Sequence, residues 1–148
     1  MQNMINPKRE ILKESQISKV KMQNDKAKGK EQKIDIKECS YLFALKIIKL
    51  TELLSSDFAS KIIADQLLRS ATSIGVNIVE AQAASSRKDF TNFLNYVLKS
   101  ANETKFWLGL LRDSGRKDKG LIDPLLGDTK QLSNILASSI LTLKKEQR

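Results

Sequence analysis

The chain has 148 residues, enough for one domain with a single core and a short appendage. Two prolines and six glycines are too few for the turns of an all-β fold, so composition favours helices, while 26 Lys and Arg against 17 Asp and Glu leave a net charge of +9 that attracts polyanions. With no histidine and Cys39 as the single cysteine, intramolecular disulfides, Cys/His zinc sites and Ser-His-Asp or Cys-His nucleophilic pairs are excluded, and no cofactor, metal ligand set or catalytic residue is expected.

Residues 1–36 form a basic N-terminal arm, with nine Lys and Arg against five Asp and Glu between Met1 and Asp35. Ile11, Leu12, Ile17 and Val20 are spaced to line a short amphipathic helix after Pro7, but "NDKAKGKEQK" interrupts it with Gly29 and charge. The expectation is disorder or a loosely held helix. No apolar run approaches the roughly 18 residues of a membrane span, and "MQNMINPKRE" has no signal-peptide core, which points to a cytoplasmic protein.

Residues 37–148 read as a four-helix domain. In the first bundle helix, from Lys37, the stripe is Phe43, Ile47, Leu50 and Leu54; a second stripe of Leu42, Leu45 and Ile48 widens the apolar arc beyond one core-facing side and predicts a partner helix outside the bundle. Asp57 is an N-cap for the second helix, whose stripe is Ile63, Leu67, Ala71, Ile74, Ile78 and Ala81. Ser86, with Asp89 three residues on, caps the third, striped by Phe90, Leu94, Val97, Ala101, Leu108 and Leu111 and ended by Ser114-Gly115. Asp123-Pro124 reads as the N-cap and first residue of the fourth helix, whose stripe is Leu125, Leu132, Leu136, Ile140 and Leu143. Short connections make these an all-α, up-down-up-down four-helix bundle.

The second helix carries polar residues within its apolar beat. Gly75 lacks the Gly-Lys-Ser/Thr ending of a phosphate loop, so the reading preferred is close approach of a neighbouring helix backbone. Asn77 and Glu80 are expected to hydrogen-bond across helices and fix register. A shared metal between Glu80 and Glu103 is disfavoured because the two lie at different levels of the bundle. Arg69, at the level of Glu103, is expected to contact it between the second and third helices.

The motif Arg69, Ser73-Ile74, Asn77-Ile78, Glu80, Ser86, Lys88, Phe90, Ser100-Ala101 and Glu103 resembles, in order, that of the four helix bundle proteins encoded in 23S ribosomal RNA intervening sequences. The likeness extends over about residues 41–144; Ala81 stands where family members often have glycine, and the basic arm lies outside the common core. What the resemblance implies is a non-enzymatic helical bundle assembling as a ring of five subunits, similar to RNA-binding accessory proteins of diversity-generating retroelements.

In an up-down-up-down bundle one end collects Lys37, Arg87, Lys88, Lys144, Lys145 and Arg148, and a ring would multiply them into a basic rim suited to the phosphates of structured RNA. Solvated helix ends favoured by the dipole are the alternative. The other end also carries Arg112, Arg116, Lys117 and Lys119, and Trp107 reads as a core or interface residue rather than a base-stacking platform. Two functions stay open, RNA or ribonucleoprotein binding and a protein-interaction scaffold whose charge serves solubility.

Overall fold

The computed structural model describes residues 6–12 and 35–146, apart from the side chain of Leu143. Five helices, numbered in chain order, are α1 (Pro7–Leu12), α2 (Ile36–Glu52), α3 (Phe58–Gln82), α4 (Arg87–Asp113) and α5 (Lys119–Glu146), and no strand occurs among the described residues. The four long ones form the expected up-down-up-down bundle, with α3 packed on both α2 and α4 and α5 closing on α4.

Local side-chain chemistry starts and stops these helices. Asp35 accepts the N–H groups of Lys37 and Glu38 and caps α2, which begins at Ile36, one residue before the sequence-predicted start. Asp57 caps α3 by accepting the Ser60 N–H at 3.0 Å, while its other oxygen accepts the hydroxyls of Ser55 and Ser60. Ser86 caps α4 through the Asp89 N–H at 3.1 Å, and Asp89 reaches back to accept the Ser85 N–H, also at 3.1 Å. Past the end of α4, Gly115 adopts φ 70°, and N–H groups of Gly115 and Arg116 donate to the carbonyls of Arg112 and Leu111 at 3.1 and 3.2 Å. That pair is a Schellman closure, and the left-handed φ is why glycine stands there.

The start of α5 departs from the sequence reading. Helix begins at Lys119 rather than at Asp123, and Pro124 sits inside it. Leu121 and Ile122 explain the extension, being 5% and 0% exposed, since continuing the helix N-terminally buries both. Two aliphatic side chains contribute about 3–6 kcal/mol, comparable with or above the roughly 3 kcal/mol cost of an interior proline.

All six residues of the α3 stripe are buried, as are Phe43, Ile47 and Leu50 of α2, Leu94, Val97, Ala101, Leu108 and Leu111 of α4, and Leu125, Leu132, Leu136 and Ile140 of α5. Leu54 and Phe90 pack partly buried against this core. Among the small polar residues within it, Ser70 and Thr104 are both fully buried, and the Thr104 hydroxyl lies 3.0 Å from that of Ser70 between α3 and α4.

The seam between α2 and α5 is built differently. With 17 residues against 28, α2 runs alongside only part of α5, and the packing between the two is sparse beside the other seams. Lys46 and Asp128 bridge it at 3.0 Å. Against both helices lies α1, capped by Asn6, whose side chain accepts the Lys8 N–H, with Pro7 as first helical residue. Ile11 of α1 is fully buried in the common core, contributing about 1.5–3 kcal/mol, whereas Leu12 is 52% exposed. This part of the arm is thus a docked helix; Ile17 and Val20 lie outside the described residues.

Candidate nucleic-acid interface and the signature face

The basic end assembles as the topology requires. Lys37 donates to Gln82 Oε1 at 3.2 Å, which places the start of α2 beside the end of α3, and Arg87 pairs with Glu146, which places the start of α4 beside the end of α5. Lys88, Lys144 and Lys145 are exposed at this same end, with no ion pair among the described residues. Arg148 lies outside the described residues. Carboxylates accompany the cations, for Asp35, Glu38 and Glu146 stand here too. Residues 35–146 hold 16 Lys and Arg against 13 Asp and Glu, a surplus of three, so most of the chain's +9 is carried by the sequence flanking the bundle.

At the opposite end the arginines are paired. Arg112 bonds Asp113 at 2.8 Å and Asp123 at 3.1 Å, and Arg116 lies 3.5 Å from Asp57. Hydrogen bonds from Ser55 and Ser60, aided by Arg116, hold the Asp57 carboxyl well below the usual carboxylate range. Arg112 does the same, more weakly, for Asp113.

The signature residues occupy α3 and the facing side of α4. Arg69 pairs with Glu103 as expected, and also donates to Gln66 Oε1 at 3.0 and 3.1 Å, while Trp107 donates its indole N–H to the same Glu103 oxygen at 3.3 Å. Ser73 donates to the Arg69 carbonyl at 2.8 Å within α3. Asn77 and Glu80 do not bridge helices. The Asn77 amide donates to the Ser73 carbonyl one turn back in its own helix at 2.8 Å. Glu80 points to solvent without a hydrogen bond or ion pair among the described residues. The physical reason is angular: at 100° per residue, Glu80 falls 200° from Ile78, on the outward side of α3.

Gly75 also differs from expectation. The group it faces is the side chain of Ser40, not a helix backbone, and a Cβ at position 75 would lie 3.6 Å from Ser40 Oγ, an ordinary contact. Cys39 is buried, and that burial, with Glu38 next, raises its thiol pKa, in keeping with a small hydrophobe.

A feature the sequence reading captured only on α2 is a set of exposed large apolar residues on three of the helices. Tyr41, Leu45 and Ile48 of α2, Phe58, Ile62, Val76 and Val79 of α3, and Tyr96, Phe106 and Leu110 of α4 are each at least 37% exposed, whereas α5 contributes only Leu141. On α2 the three fall at the i, i+4, i+7 spacing of one helix face, Tyr41, Leu45 and Ile48. The signal was present in α3, where Phe58, Ile62, Val76 and Val79 fall off the core stripe.

A bundle of four long helices, with the signature residues on α3, on α4 and at the turn between them, is the architecture that the resemblance implies. The description "23S rRNA-intervening sequence protein" matches over residues 32–138, and the chain belongs to that family. A crystal structure of a protein of unknown function from the S23 ribosomal protein family of Bacteroides thetaiotaomicron is similar, with 39% identity and a TM-score of 0.67 over 71% of this chain and 97% of that one. No protein of curated function matches the chain. No helix among the described residues is long and apolar enough to cross a membrane.

Proposed function

We propose that this chain is a non-enzymatic, cytoplasmic, self-associating helical bundle that binds structured RNA, or a ribonucleoprotein, through the basic rim at its Lys88 end. The observation that carries the reading is the gathering of exposed Lys88, Lys144 and Lys145 at one end, with no carboxylate paired to them among the described residues. Unpaired ammonium groups release counterions when they meet phosphates, whereas Arg87, already paired with Glu146, adds less. The family's name, with its reference to ribosomal RNA, is in keeping with this partner.

Self-association rests on the exposed large apolar residues on the outward face of each of α2, α3 and α4, which a second copy would cover. The resemblance implies a ring of five. The same residues support the second reading, a protein-interaction scaffold that binds no nucleic acid.

Gel-shift titration with a structured RNA across a salt series separates the two. RNA binding predicts a steep fall of log K with log salt, and the triple variant Lys88→Ala/Lys144→Ala/Lys145→Ala lowers that slope by about one per lost phosphate contact. Absence of binding at low salt, or binding indifferent to salt, leaves the scaffold reading. Light scattering gives the mass, and a monomer removes both ring and rim.

A further inference from the structure

Arg87 and Glu146 each stand at the wrong end of their own helix. Arg87 is the first residue of α4, where the dipole favours an anion, and Glu146 is the last of α5, where it favours a cation. They pair with one another, yet both side chains are 52% exposed, and a pair so open to water holds weakly. Lys88, Lys144 and Lys145 flank the pair in sequence, exposed and with no ion pair among the described residues. Of the carboxylates at this end, Asp35 and Asp89 accept backbone N–H groups at helix starts, and Glu38 pairs with no cation among the described residues. Glu146 is thus the carboxylate that occupies a cation of the basic end.

We infer that Arg87 is a phosphate-binding residue held in reserve by Glu146, and that RNA phosphate replaces the Glu146 carboxylate on its guanidinium. The inference rests on the RNA-binding reading above and adds to it the residue that sets the strength of the contact. A guanidinium fork takes two oxygens of a phosphate as it takes those of a carboxylate, so Arg87 exchanges one oxyanion for another. The exchange still has a driving force, because an RNA phosphate gives up its condensed counterion on meeting the arginine and a lone carboxylate has none to give up. Glu146 closes α5, and the last turn of a helix frays at little cost, which lets the carboxylate turn to water. Once displaced, it remains a negative charge beside the RNA and opposes binding. The parent chain therefore binds RNA more weakly than its cations alone would allow, and Glu146 is the reason.

The test compares the full parent chain with Glu146→Gln, which keeps the size of the side chain and removes its charge, in gel-shift titrations of an RNA hairpin of mixed sequence over a salt series. Binding is expected to tighten on the order of tenfold at about 50 mM salt, and the slope of log K against log salt to steepen by about 0.7–0.9, the share of one phosphate contact. In the double variant Arg87→Gln/Glu146→Gln the gain disappears. Asp65→Asn makes the same change in net charge about 25 Å along α3 from Gln82, more than two Debye lengths at about 0.1 M salt, and leaves the slope as it was. Salt-dependent binding by the parent that Glu146→Gln does not alter overturns the inference and leaves the RNA reading standing. A gain that survives the loss of Arg87, or that Asp65→Asn reproduces, does the same. No binding by the parent or the variants at low salt overturns both readings.

Discussion

Lys46 and Asp128 meet at 3.0 Å across the α2–α5 seam with 12% of each side chain exposed. Removing the carboxylate takes away one charge partner of an ammonium so withdrawn from water. Asp128→Ala is expected to cost about 3 kcal/mol in a denaturant titration, and the double variant Lys46→Met/Asp128→Leu less, because it removes both charges together. A single variant as stable as the parent contradicts this account of the seam.

Gln131 lies one turn after Asp128 on α5, and its Oε1 is buried without a hydrogen bond among the described residues. A buried acceptor with no donor costs about 1–3 kcal/mol, so an apolar side chain of similar length is preferred there. Gln131→Leu is expected to raise the denaturation midpoint by the equivalent of about 1 kcal/mol, at an unchanged denaturant slope.

Space at Gly75 makes its replacement by alanine favourable. The new Cβ meets only Ser40, at ordinary van der Waals distance, and alanine exceeds glycine in helix propensity by about 1 kcal/mol. Gly75→Ala is therefore expected to raise the melting temperature by a few degrees. A fall would show that position 75 faces a tighter neighbour in the assembled protein.

The α3 cap is sensitive to acid. The folded-state pKa of Asp57 is depressed, first by Ser55, so its contribution to stability is present above the ordinary carboxylate range near pH 4 and is lost as pH falls toward the depressed value. Asp57→Asn is expected to be less stable than the parent at neutral pH, and the gap to narrow progressively below about pH 4. A gap that is constant from neutral to strongly acid pH would falsify the capping role.

Much of this architecture is legible in the residues, for physical reasons that differ by feature. The six stripe residues from Ile63 to Ala81 are buried because burial follows a period that any helix imposes, and Asp57 and Ser86 cap because a cap is a bond between near neighbours in sequence. Arg69 and Glu103 could be paired by counting residues from the turn between their helices. Asp123-Pro124 misleads as a helix start because it is a local signal opposed by a tertiary one, the burial of Leu121 and Ile122. Glu80 is a misjudged angle, since the wheel itself turns it away from the core. The seating of Ile11 and the Lys46–Asp128 bridge join distant segments, and no local pattern announces either. At the basic end, sequence supplies the cations but not the Glu146 that occupies Arg87.

Proline at position 124 also sets an order in which the molecule opens. It has no N–H to give the carbonyl of Gly120, an exposed residue, so the ladder of α5 has a missing rung between its first turn and the rest. Residues 119–123 thereby have one backbone bond fewer to the rest of the helix and lean on the buried side chains of Leu121 and Ile122. Amide protons of that first turn should exchange with solvent through small local openings, well ahead of those in the middle of α5, which await unfolding of the whole bundle. Within α5, the turn opposite the basic rim therefore opens ahead of the helix's middle.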